Sequence, residues 1–221
     1  MVSGSFGHPH IVEVFDLGWL EDVRSPYLVM ERLEGETLGA RLKRERKLPI
    51  TVALTVARQV LSALGATHAR GILHRDLKPD NVFLARAADG GVRVKVLDFG
   101  LSKAIAPSIE GPRLTRVGVV MGTPSYMAPE QATGASDLDA RVDLYAVGMI
   151  VYESLVGRPL YTARTPAALM QQIGRFRPPT PRLVRPEVSS RLDAAVMKAI
   201  ARDRRQRFAD AAEMQIGRAH V

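Results

Sequence analysis

Residues 139–156 contain the run V-D-L-Y-A-V-G-M-I-V-Y-E-S-L-V, which is apolar on nearly every face of a helix. A helix of that kind has no side to show to water, so it belongs inside a protein or a membrane. Asp143 and Glu153, with the short length of the run, place it in a protein interior, and the rest of the chain has to wrap it. With 221 residues and 46% hydrophobic content, the chain can bury one substantial core. A carboxylate in that core must be hydrogen-bonded, so Asp143 needs partners from elsewhere in the sequence.

A second constraint lies in residues 71–100, G-I-L-H-R-D-L-K-P-D-N-V-F-L-A-R-A-A-D-G-G-V-R-V-K-V-L-D-F-G. Two short apolar runs, 82–85 and 92–97, flank Asp89-Gly90, and an Asp-Gly pair between such runs is a strong hairpin signal. Folding about that pair predicts Asn81 opposite Asp98 at one end of the hairpin. A carboxylate and a carboxamide oxygen are hard ligands, and a pair of them suits a magnesium ion that keeps the rest of its shell for water and phosphate oxygens. Asp76 and Lys78 lie just upstream, so the same loop end carries a candidate base, a cation and two candidate metal ligands.

The remaining elements follow from periodicity. Residues 11–15 and 27–33 read as an antiparallel pair with a loop over 18–26. A short polar helix is predicted over 37–46, and Leu48-Pro49 marks the next boundary. Ala53, Ala57, Val60, Leu61 and Leu64 fall on one stripe of a long packed helix that stops at Gly71, and His68 on it reads as a packing or surface histidine. Further helices are expected over 166–173 and 191–201, with a proline-rich loop over 177–186. The Gly-rich start, Ser3 to Gly7, follows no strand and is not read as a phosphate loop.

The stretch His74-Arg75-Asp76-Leu77-Lys78-Pro79-Asp80-Asn81, followed by Asp98-Phe99-Gly100 and Ala128-Pro129-Glu130, resembles the catalytic core of a protein kinase. The wording from Gly122 to Gln131 is most similar to bacterial (Hanks-type) serine/threonine kinases, and Lys78 fits that specificity. The resemblance implies an α+β, protein-kinase-like fold: a partial kinase domain over 1–215, with a remnant of the N-terminal lobe and hinge in 1–33 and a mainly helical C-terminal lobe in 34–215. Residues 216–221 resemble a translated sequencing adapter and are set aside as a non-native tail.

The same resemblance implies roles. Asp76 would be the catalytic base, Lys78 would steady the transferred phosphate, and Thr123 would help select hydroxyl substrates. Asn81 and Asp98 would hold Mg2+. Met30 would be the gatekeeper of an adenine pocket, with Glu31 and Leu33 offering backbone groups to ATP and Phe83 lying under the base. Arg75 would pair with a phosphate on Thr115 in the activation segment, 100–128. His74 and Phe99 would pack in an internal spine, Asp143 would hold the backbone of the 74–76 turn, and Glu130 would pair with Arg207. In the motif around Asp203, Arg204 stands where the family has proline.

Composition sets the outer limits. No cysteine is present, which rules out disulfides and thiolate metal sites and agrees with a reducing compartment. The net charge of +8 is carried mostly by arginines scattered among prolines and helices without aromatic interleaving, so a solvated basic face is expected rather than a nucleic-acid site. No signal peptide or membrane-spanning run is read, and a cytoplasmic protein is expected, whose parent could be anchored by a segment not in this chain. No lysine precedes Lys43, so the strand lysine and glycine-rich loop of the family are missing from this stretch, and a truncated form inactive alone is expected. Protein substrates and ATP are the expected partners. The competing class is a catalytically dead kinase-like scaffold, and a small-molecule phosphotransferase is disfavoured by the Thr123 to Glu130 segment.

Overall fold

The computed structural model describes residues 7–20, 25–86, 91–99, 124–175 and 178–214. At its centre is α4 (Arg141–Val156), which buries 13 of its 16 residues, as expected of a helix without a polar face. Its polar groups are satisfied locally: Ser154 Oγ donates to the Ile150 carbonyl at 2.8 Å, and Asp143 finds partners described below. Gly157 ends the helix in a left-handed conformation (φ 88°) that a side chain would strain. Gly148 lets α7 (Ser190–Ala199) pack closely, for a Cβ there would lie 2.7 Å from the Ala199 Cβ.

Two further helices complete one side of the core. Thr37 caps α1 (Leu38–Glu45) by accepting the Ala40 N–H, and Leu38 and Leu42 face inward. The stripe of Ala53, Ala57, Val60, Leu61 and Leu64 on α2 (Ile50–His68) is buried against α4. By length and composition α2 could cross a membrane, yet half of it is packed inside the molecule.

A three-stranded antiparallel sheet, ordered β3 (Gly35–Thr37), β4 (Val82–Arg86), β5 (Val92–Val96), closes the body. In the β4–β5 hairpin Val82 pairs with Val96, and Leu84 with Val94. All four are buried, so the apolar alternation selects this register; a slip of one would set Leu84 against Lys95. The consequence is a correction: Asn81 stands opposite Leu97, whose N–H donates to the Asn81 carbonyl at 2.9 Å, and Asp98 lies one residue beyond. The strands close at Arg86 and Val92, so the connection is longer than a two-residue Asp-Gly turn, and Asp89-Gly90 lies outside the described residues.

A second sheet is the two-stranded ribbon of β1 (Val14–Leu20) and β2 (Ser25–Met30). It runs well past the expected loop start at Gly18, which pairs with Tyr27. A Cβ on Gly18 would strike the Tyr27 ring at 2.3 Å, so this glycine makes room for a cross-strand aromatic and does not turn the chain. Segment 10–13 joins the ribbon to the body through an Ile11–Val96 bridge and hydrogen bonds from Val12 N–H to Val96 and from Val96 N–H to His10.

Around α4 and α7 lie α3 (Pro129–Ala132), α5 (Pro166–Arg175) and α6 (Pro181–Val184). The last is a correction to the proline-rich loop: Thr180 caps it by accepting the Leu183 N–H, and Pro181 occupies the first turn, where its missing N–H costs nothing.

Candidate active site

The loop between α2 and β4 is held by one carboxylate. Asp143, almost fully buried on α4, accepts the His74 N–H at Oδ2 and the Arg75 N–H at Oδ1, each at 2.8 Å. These bonds fix a turn in which Arg75 has φ 67°, a conformation unfavourable for a residue with a side chain. From the far side Gln131 Nε2 donates to the Arg75 carbonyl at 2.9 Å. The Arg75 side chain is exposed.

His68 is the residue that periodicity missed. Its Nε2 lies 2.8 Å from Asp143 Oδ2, so a residue read as packing touches the group that anchors the turn. Its Nδ1 is buried and meets no hydrogen-bond partner among the described residues. Nothing in the stripe of α2 distinguishes this histidine from a surface one; only the fold brings α2 and α4 together here.

Below the turn, His74 Nε2–H donates to the Leu97 carbonyl at 2.9 Å, and its ring packs on Phe99 with centroids 4.9 Å apart. Asp76 is exposed, with Lys78 Nζ 2.7 Å from its Oδ2. Asn81 is buried and donates through Nδ2 to the Asp76 carbonyl at 2.8 Å, which turns its carboxamide oxygen the other way. Asp98 is exposed and lies just past the end of β5 with φ 59°. Asp76, Lys78, Tyr126, Met127 and Gln131 line a small pocket beside the turn.

The donor set tests whether a metal suits this place. Among the described residues no group of three or more histidine, cysteine or carboxylate side chains converges, so a tightly caged transition metal has no site. One carboxylate and one carboxamide oxygen at the end of a hairpin fit a magnesium ion bound largely through water and phosphate.

On the ribbon side, Met30 ends β2 and is partly exposed, and Leu33 follows in the connection to β3. Phe83 sits on β4 between Thr37 and Lys95, on the strand face opposite the core residues Val82 and Leu84. The side chain of Glu31, to which the sequence reading gave no task, accepts from Lys95 Nζ at 2.5 Å.

Beyond the pocket, Glu130 on α3 and Arg207 form a two-pronged ion pair at 2.7 and 2.9 Å. Arg207 is buried, and its other N–H groups reach the carbonyls of Ala201, Arg141 and Arg202, so all five donors are used, while the Tyr145 ring lies 4.7 Å below. Arg204, in place of the family's proline, donates to the Asp137 carbonyl at 2.8 Å and pairs with its carboxylate. Tyr126 donates to Glu153 Oε2 at 2.5 Å. Burial pushes the Glu153 carboxyl above its ordinary range; the Tyr126 hydrogen bond opposes this, and the charge of Asp80 adds to it. Thr115 and Thr123 lie outside the described residues.

The helical body thus presents an exposed carboxylate with an ammonium beside it on a loop held from beneath by a buried aspartate, the arrangement that the resemblance to protein kinases implies. A family model described as "Protein kinase domain" matches residues 1–215, and the chain belongs to that family. Serine/threonine-protein kinase Pkn1 of Myxococcus xanthus is 42% identical over 206 residues, 93% of this chain and 29% of the relative. Serine/threonine-protein kinase PknB of Mycobacterium tuberculosis is 38% identical over 215 residues, 96% of this chain and 33% of the relative. The crystal structure of the M. tuberculosis PknI kinase domain superposes with a TM-score of 0.71 at 29% identity, covering 95% of this chain and 71% of that one. The chain thus spans about a third of the length of the curated relatives it matches.

Proposed function

We propose that this chain is catalytic machinery of a bacterial-type serine/threonine protein kinase, which transfers the terminal phosphoryl group of Mg-ATP to hydroxyls on proteins. The observation that carries the reading is the arrangement at residues 74–81: an exposed Asp76 carboxylate, Lys78 Nζ at 2.7 Å, and Asn81 tied to the Asp76 carbonyl, all on a turn anchored by Asp143.

In this reading Asp76 accepts the proton of the substrate hydroxyl and orients it for attack. Lys78, whose Nζ lies 2.7 Å from the Asp76 carboxylate, offsets negative charge on the group in flight. Asn81 and Asp98 would hold Mg2+, which would supply positive charge against the negative charge that develops in phosphoryl transfer. Met30 stands behind the adenine pocket as gatekeeper, Glu31 and Leu33 offer backbone groups to the adenine edge, and Phe83 lies beneath the base. Arg75, exposed beside the base, is the partner for a phosphate on Thr115, and Thr123 contributes to hydroxyl selection. His74, Phe99, Asp143, Glu130 and Arg207 keep these groups in register.

The test is phosphate transfer from labelled ATP to a generic basic protein by the full-length protein with magnesium. Asp76→Asn is expected to lower kcat by about 10²- to 10⁴-fold, the usual contribution of a general base. A wild-type protein without transfer, or an Asp76→Asn variant as active as wild type, would replace this reading with that of a kinase-like binding module.

A further inference from the structure

The backbone at Asp76 is held one peptide unit at a time. Asp143 accepts the N–H groups of units 73–74 and 74–75, each at 2.8 Å. Asn81 Nδ2 donates to the Asp76 carbonyl, in unit 76–77, at 2.8 Å. The unit between them, 75–76, leads directly into the Cα that carries the carboxylate. Its N–H comes only within 3.4 Å of His74 Nδ1, too far for a strong bond. Its orientation therefore depends on its carbonyl, on Arg75, which accepts from Gln131 Nε2 at 2.9 Å.

Gln131 is itself fixed from two directions. Its Oε1 accepts the N–H of Ala128, the buried residue that opens α3, at 3.1 Å. One partner is thus a donor and the other an acceptor, and only one orientation of the carboxamide satisfies both. One residue earlier, Glu130 bolts the same helix to the body through Arg207, at 2.7 and 2.9 Å. Gln131 is half-buried and lines the pocket beside Asp76 and Lys78, together with Pro124, Tyr126 and Met127 of the segment that follows Thr123. A single carboxamide therefore joins that segment to the loop, across 56 positions of the chain.

We propose that Gln131 is a positioning residue for Asp76: its carboxamide sets the plane of the peptide that leads into Asp76 and couples that plane to the segment after Thr123. The proposal rests on the reading of Asp76 as the base. Asp143 holds the entry of the turn and Gln131 holds the step onto the carboxylate, so the two are not interchangeable. Without Gln131 the fold and the nucleotide side stay in place, while the Asp76 carboxylate swings with an unheld peptide. The loss then falls on transfer to the hydroxyl and not on binding of ATP.

The experiment uses the full-length protein and measures kcat, KM for ATP, calorimetric binding of a non-hydrolysable ATP analogue with magnesium, and Tm. Gln131→Met, similar in length but without the donor, is expected to lower kcat by about tenfold, the upper end of what one hydrogen bond contributes, with KM for ATP and analogue binding unchanged. Gln131→Glu keeps the acceptor for the Ala128 N–H but sets a carboxylate oxygen against the Arg75 carbonyl, so it is expected to lose kcat as well. Protonating that carboxyl restores a donor, and the kcat of Gln131→Glu relative to wild type is expected to rise as the pH falls from alkaline to mildly acid. The charged groups around the pocket, Arg75, Asp76, Lys78 and Asp143, are present in both proteins and cancel in that ratio. If Gln131→Met fails to fold, Gln131→Glu carries the same measurements. An unchanged kcat in both variants, or a lowered Tm with a Gln131→Glu to wild-type ratio that stays flat with pH, would reduce Gln131 to a structural tie and overturn the proposal. A wild type without phosphate transfer, or an Asp76→Asn variant as active as wild type, would instead overturn the reading of Asp76 beneath it.

Discussion

Asp143 holds the active turn with both oxygens, and neither can be exchanged for a donor. In Asp143→Asn one position of the side chain becomes an NH2 group facing a backbone N–H of His74 or Arg75, so a buried donor loses its acceptor. The expected cost is about 1–3 kcal/mol of stability, measured by urea unfolding. Because the turn carries Asp76, kcat is expected to fall by about 10²-fold, the effect of misplacing a reacting group by an ångström or so. An active variant with unchanged unfolding would show that the turn holds itself. Glu153, at the other end of α4, makes a pH-dependent statement. Its folded pKa is raised, chiefly by burial, so its contribution to stability is full below the unfolded carboxylate range and is lost as the pH rises through the folded value. Glu153→Gln removes that titration and keeps an acceptor for Tyr126. The stability of wild type relative to this variant is expected to decline as the pH rises from acid towards neutral, and a difference that stays flat with pH would count against the assignment.

At the scale of elements, α4 and α7 are set by how closely they approach. Gly148→Val would put branches where even a Cβ lies 2.8 Å from Ile200 Cγ2, and overpacking of this kind is expected to cost about 1–3 kcal/mol, read as a lower urea midpoint with unchanged slope. The helices were legible because their signals are strong and local: the all-round apolarity of α4, the stripe of α2, and the Thr37 cap of α1. The loop of Asp76, Lys78 and Asn81 was legible as a motif. What the sequence misled on was governed by contacts between strands. Gly18 looks like a turn until Tyr27 is laid across it. Asp89-Gly90 suggested a tight hairpin, while the burial of Val82, Leu84, Val94 and Val96 favours a register shifted by one. Thr180-Pro181 did carry a capping signal, hidden among the neighbouring prolines. The Glu31–Lys95 and His68–Asp143 contacts left no trace, since nothing along the chain marks two charged or polar residues as neighbours across 64 or 75 positions.

Across the whole molecule, apolar burial and apolar exposure are divided between two parts. The body around α4 is tightly packed, whereas the ribbon presents Phe15, Trp19, Leu20, Val29 and Met30 to solvent; Val12 is buried at the joint between the sheets. Local opening is cheapest where few apolar contacts have to break, so the ribbon is the soft side of the site and the loop bearing Asp76 is the stiff one. The left-handed backbone at Arg75 adds an order in time. Taken alone, the segment around Arg75 has no reason to adopt that conformation, and it does so only when Asp143 is already in place, 68 residues downstream and sealed inside the core. During synthesis, then, the stretch that bears Asp76 leaves the ribosome long before the helix that shapes it. A growing or half-folded chain carries the residues of the proposed site without their geometry, and that geometry arrives late, after the interior has closed.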